Sequence, residues 1–171
     1  MTVFRSLPLL RLTAFALDWL VLALWGGIAF GIVMFSTHGN PPGFSNPWQG
    51  QAVSFLVMTL PFTLYFAFLE SSPKRATIGK RIIGLEVARP TGEQLSFATS
   101  FLRNGIKFVP WELGHLVAHQ AAFAKEPSIS TWVWGPALGA VIGMLWWMTT
   151  LFIGSETPYN RWIGARVIKR L

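Results

Sequence analysis

Cysteine is absent from the 171 residues, which excludes disulfides, thiolate catalysis and cysteine-ligated metal sites. Acidic residues are scarce: Asp and Glu number 7 against 14 Lys and Arg, and only 12% of the chain is charged. Catalytic signatures are missing too. There is no phosphate-binding loop, no dinucleotide fingerprint, no Gly-x-Ser-x-Gly elbow and no His-Glu-x-x-His zinc motif. No soluble catalytic domain is visible, so the reading is not an enzyme, with no cofactor and no metal. What abounds is apolar: 52% of the residues are hydrophobic, with 14 Phe and 9 Trp. That balance describes a multipass membrane protein, not a soluble domain. The basic excess does not point to nucleic acid, because the charges gather at the ends of apolar runs, where membrane orientation needs them.

Four apolar segments are predicted, over about 12–35, 52–69, 97–123 and 131–153. The first is long enough to cross a hydrocarbon core of ~30 Å at ~1.5 Å per residue. Arg5 and Arg11 precede it, as in a signal peptide, but the run is too long and no small-x-small cleavage site follows. It is read as a retained helix. The loop over 36–51 carries no Lys, Arg, Asp or Glu, which suits the outer side, with Trp48 at the outer interface. Pro61 is expected to kink the second segment, and Glu70 and Pro73 to end it. The third is ambiguous, because Arg103, Lys107, Glu112, His115 and His119 also fit a helix lying on the membrane surface. If it did not cross, the basic tail over 154–171 would lie outside. The positive-inside rule therefore selects four spans with both termini in the cytoplasm, leaving only Lys125 away from that side. No internal repeat is evident.

The central stretch, within a loop over 70–96, is too polar for lipid. Lys74, Arg75, Lys80, Arg81 and Arg89 place it in the cytoplasm. Gly79 and Gly84 bracket a short turn, residues 85–89 alternate as a strand does, and Pro90, Thr91 and Gly92 form a turn. Residues 165–170 have the same β-like character, so the two stretches are expected side by side as a small cap. The basic side chains enforce topology and meet anionic headgroups, or the glycines form an anion-binding nest.

Two polar constellations lie inside apolar segments. Asp18 needs a partner there; Arg103 is the first choice, with Arg11 and Asn160 as alternatives. The pair either fixes helix packing or binds a cation or proton. Glu112, His115 and His119, spaced by three and four, share one helical face. They form a proton relay, or simply polar residues near a helix end or a partner subunit. Glu-x-x-His also recurs in carboxylate-bridged metal bundles, but Asp18 is the only other intramembrane acid in this reading, so no metal site is expected.

Several stretches resemble the RDD family of bacterial membrane proteins, named for one arginine and two aspartates. Arg11 opens the first apolar segment and Asp18 lies within it. Thr77, Gly79, Lys80 and Arg81 form Thr-x-Gly-Lys-Arg. Gly84, Leu85 and Val87 form Gly-Leu-x-Val, and Gly92, Leu95 and Ser96 form Gly-x-x-Leu-Ser, followed by Arg103. In the tail, aligned on Gly164, the family's histidine falls on Tyr159, its second aspartate on Asn160 and its threonine on Ala165. The resemblance implies a bacterial inner-membrane location and transport of ions or small ligands.

The expected fold is an all-α membrane protein: four transmembrane helices with a small cytoplasmic cap. The expected function is a small transporter or proton/cation antiporter component using Asp18 and Glu112. The alternative is a non-catalytic accessory or assembly subunit of a larger membrane complex. Expected partners are the lipid bilayer and a larger complex or a second copy of the chain, with no nucleic acid.

Overall fold

A computed structural model describes residues 3–40, 43–124, 130–153 and 156–170. Helix α1 spans Val3–Ser36, beginning before the expected start. Helix α2 spans Pro47–Ser54, five residues ahead of the predicted 52. The reason is a local stop-start signal. Asn46 is extended, its side chain accepts from the Gln49 backbone N–H at 2.9 Å, and Pro47 opens the first turn, where a missing N–H costs nothing. The helix continues through a π-helical turn, Phe55–Thr59, into α3, Leu60–Glu70. Pro61 falls just after that turn and deprives the Val57 carbonyl of its i→i−4 donor. The indole N–H of Trp25, on α1, donates to that carbonyl at 2.9 Å. The break at Pro61 is thus repaired from a neighbouring helix.

The central loop holds more than a turn. Helix α4, Ile78–Ile83, is capped by Thr77 and ended by Gly84 at φ +74°, a left-handed position that suits glycine. Strand β1, Leu85–Ala88, follows directly. Helix α5, Phe97–Ala122, is capped by Ser96. A 3-10 turn, Thr131–Val133, leads into α6, Trp134–Ile153. The tail forms α7, Pro158–Ile163, ended by Gly164 at φ +63°, and β2, Arg166–Lys169. Lys125 lies outside the described residues.

β1 and β2 pair antiparallel, with Val87 opposite Val167 and Leu85 opposite Lys169. This is the juxtaposition of loop and tail that the two β-like stretches predicted. The pairing also corrects the reading that the chain has no repeat. Helix α4, Gly84 and β1 are matched by α7, Gly164 and β2. At a constant offset, Thr77, Arg81, Ile83, Gly84 and Val87 recur as Thr157, Arg161, Ile163, Gly164 and Val167. Each unit follows a pair of long helices. Because Val87 faces its own equivalent, Val167, a local twofold axis relates the two units, as in an isologous dimer interface.

Two apolar clusters hold the elements together. Ala14, Leu85, Val87, Leu95, Ala165 and Val167 join α1 to the sheet. Leu22, Phe62, Phe66 and Phe108 join α1, α3 and α5. By length and composition, two stretches can cross a membrane: Leu7–Ser36, 30 residues, and Pro47–Glu70, 24 residues, each of mean hydropathy 2.0. Only 6% of the apolar window in the first is buried, so most of that helix presents apolar side chains outward, as a lipid-facing helix does.

Candidate functional site

The Asp18 carboxylate sits 1% exposed on α1 and grips the start of α4. Thr77 Oγ1 donates to it at 2.6 Å, the Gly79 backbone N–H at 2.9 Å and Tyr65 OH at 3.0 Å. The sequence builds this clasp economically. Thr77 uses one hydroxyl twice: it donates to Asp18 and accepts from the Lys80 N–H at 3.4 Å as the cap of α4. Gly79 lets α4 lie on α1, because a Cβ there would stand 2.2 Å from the Ala14 carbonyl oxygen and 3.0 Å from Asp18 Cγ. The expected Asp18–Arg103 pair is therefore overturned. Three shorter-reach donors close the carboxylate, and Arg103 turns to another acid.

That acid is Glu70, which in the sequence marks a helix end. It is fully buried. Arg103 Nη1 lies 2.6 Å from Oε2, Lys80 Nζ 2.7 Å from Oε1, and Asn104 Nδ2 donates to Oε2 at 2.8 Å. One signal was available: an acid in the last turn of a helix opposes the helix dipole and calls for cations. Arg103 Nε also donates to Asn160 Oδ1 at 2.7 Å, and its guanidinium lies 5.2 Å from the Tyr159 ring centroid. Arg103 thus ties α3 to α5 and to the tail. Arg11 Nη2 donates to the Val167 carbonyl at 3.3 Å, fastening α1 to β2. Of the basic loop, Lys80 is turned inward to Glu70, Arg81 Nε donates to the Ala76 carbonyl at 2.8 Å, and Arg75 Nη1 donates to the Gly92 carbonyl at 2.6 Å. Lys74 is exposed.

The third cluster lies between α2 and α5. Glu112 accepts from Gln51 Nε2 at 2.6 Å and from the Thr59 hydroxyl, and His115 Nδ1 is 3.2 Å away. His119 leaves the group: its Nε2 is 2.9 Å from Ser54 Oγ, in a space that only a glycine at position 50 keeps open. The predicted three-residue face therefore splits into two contacts with α2. Asp18 and Glu112 share no partner and form separate sites. Among the described residues, no group of three His, Asp or Glu side chains is placed to hold a metal ion.

The model of the RDD family matches residues 5–161. The chain belongs to the RDD family. No curated protein and no solved structure is significantly similar to it. Its apolar helices and the family's usual occurrence in membrane proteins make this RDD chain an integral membrane protein. The family's hallmark positions acquire distinct tasks here. Asp18 clasps Thr77 and Gly79, Arg11 fastens β2, and Asn160, where the resemblance aligns the second aspartate, accepts from Arg103.

Proposed function

We propose that this RDD protein is a four-span, non-catalytic accessory or assembly subunit of a larger complex in the bacterial inner membrane, with both termini in the cytoplasm. One observation carries the reading: Asp18 and Glu70, the two fully buried carboxylates among the described residues, are each closed by three donors within about 3 Å. Such acids clasp elements together, and a cation path needs carboxylate oxygens that can open. Large apolar side chains such as Leu20, Leu24 and Phe30 on α1, and Leu138 and Leu145 on α6, are more than half exposed, which provides surface for lipid and for a partner.

The sheet supports the topology. β1 and β2 lie on one side of the membrane because they pair, so the chain between them crosses an even number of times. Two crossings, by α5 and α6 as the third and fourth spans, fit that requirement. Trp48 at the start of α2 stacks on Trp132 at the start of the last span, centroids 6.0 Å apart, as expected of one outer belt. Single cysteines at His38 and Ser130, in a chain that has no native cysteine, are expected to react with an impermeant reagent from outside, and one at Gly92 to be protected. Outside labelling of Gly92 would discard the orientation.

The accessory role is tested by purification in mild detergent at native expression, where a stoichiometric larger partner is expected. Asp18→Asn sharpens the contrast with transport. Asn keeps an acceptor but turns an N–H towards a donor, so a loss of ~1.5–3 kcal/mol is expected from one bond to a charged group. A folded Asp18→Asn protein whose proton or cation flux in vesicles has vanished would overturn the accessory reading. The transport reading has one observation in its favour. Glu112 and His115 are part-exposed, bonded to each other, and meet the helix pair at a π-turn, a feature frequent at functional sites. Flux abolished by Glu112→Gln would establish it.

A further inference from the structure

The two halves of the repeat differ in what their shared threonine meets. In the first, the Thr77 hydroxyl donates to the Asp18 carboxylate. In the second, the equivalent Thr157 is 1% exposed, and its hydroxyl has no hydrogen-bond partner among the described residues. Three residues on, Asn160 gives its Oδ1 to Arg103 while its Nδ2, also buried, has none. Trp111 Nε1 is a third buried donor in the same condition. All three residues line one cavity of about 120 Å³. A buried donor left without an acceptor is costly, so three around one space mark a site for an acceptor.

Charge says what kind. Arg103 and Lys107 line the same cavity, as do Arg11 and Lys80. The lining carboxylate, Asp18, is already closed by its three donors, and Glu70 from behind sets one negative charge against both Lys80 and Arg103. The Lys107 ammonium donates no hydrogen bond among the described residues. Its neighbours are aromatic faces, with Phe66 at 3.5 Å and Phe108 at 5.2 Å. Cation–π contact holds such a group but does not cancel its charge at this depth, where a counter-charge is worth most. The lining also includes the apolar side chains Met144 and Met148 of α6.

We propose that this cavity binds an oxyanion, a phosphate or carboxylate group, which accepts from Thr157, Asn160 and Lys107 and takes for the second half the place that Asp18 holds in the first. The two methionines accommodate an apolar substituent, so the group is either the head of a membrane lipid or a free anion.

The test uses the intact chain in neutral detergent and follows its thermal unfolding against three probes: phosphatidylglycerol, inorganic phosphate and butyrate. Phosphatidylcholine is the zwitterionic control. A ligand of the native state raises the midpoint saturably. At least one anionic probe is expected to do so. Asn160→Asp, which places a negative charge in the site, and Lys107→Met, which removes the cation but keeps the stem, are each expected to weaken the apparent affinity at least ~10-fold. Lys74→Ala, on the exposed loop, leaves it unchanged. Stabilisation by phosphatidylglycerol alone assigns the anion to lipid; an equal effect of phosphate or butyrate assigns it to a free solute. The proposal is overturned if no anionic probe shifts the midpoint saturably, or if the shift survives in whichever of the two cavity variants folds. Neither result bears on whether the chain has a protein partner.

Discussion

Glu70→Gln is expected to destabilise the protein by ~3–5 kcal/mol, the usual cost of removing one side of a buried ion pair. Its carboxylate is the shared acceptor of Arg103, Lys80 and Asn104. Gln is nearly isosteric, so no cavity forms. The loss comes from charge and from direction: one oxygen becomes an NH2 that faces donors. Arg103, 2% exposed, keeps its bond to Asn160 but loses its counter-charge. Lys80 is closer to the surface, 12% exposed, and recovers hydration. Most of the cost therefore falls on Arg103. It follows that Arg103→Met added to Glu70→Gln is much less harmful than the sum of the single changes, because the stranded guanidinium is gone. Unfolding midpoints in mixed micelles check this. Strict additivity of the two changes would mean that the pair is not coupled, and that Arg103 is held by Asn160 and Tyr159 alone.

The legible parts of this fold are those governed by nearest neighbours in sequence. Apolar length marked the four long helical regions, and alternation marked β1 and β2. The predicted partner of Asp18 was wrong for a physical reason. Arg103 carries the charge that an acid in lipid calls for, but two hydroxyls and a backbone N–H serve a carboxylate as well as one guanidinium does, and neutral donors leave no charge signature. Tyr65 and Thr77 lie far from Asp18 in the chain. Glu70 reads only as a helix end because it stands where an apolar run gives way to polar residues, and such acids are usually solvated. Here the chain folds back, and α4 and α5 close over it. Asn160 aligns with the family's second aspartate, and its geometry shows a working acceptor for Arg103 and a spare donor. The repeat was hidden because only five of its positions match. They include the threonine at the N-cap position, the left-handed glycine and the paired valine, which fix backbone shape, while those that differ face different neighbours.

The sharpest consequence concerns Gly79, where a single methyl is expected to cost ~2.5–6 kcal/mol, combining overpacking at ~1–3 with the loss of at least one bond to a charged group at ~1.5–3. The added Cβ would stand 2.2 Å from the Ala14 carbonyl oxygen and 3.0 Å from the Asp18 backbone nitrogen. Both are main-chain atoms of α1, inside a helix that cannot yield locally, so α4 must lift away. Lifting lengthens the 2.9 Å Gly79 N–H bond and the 2.6 Å Thr77 bond to Asp18 together, and it drags β1, which starts two residues after α4 ends. Gly84→Ala is the comparison. It puts a side chain at φ +74° with open space around it, and a single left-handed residue costs only ~1–2 kcal/mol. If Gly79 matters for the close approach of α4 to α1, Gly79→Ala exceeds Gly84→Ala in unfolding experiments. Adding Asp18→Asn to Gly79→Ala then costs little more, because the clasp is already open. Equal effects of the two alanines would show that conformational freedom, not the contact with α1, is what position 79 requires.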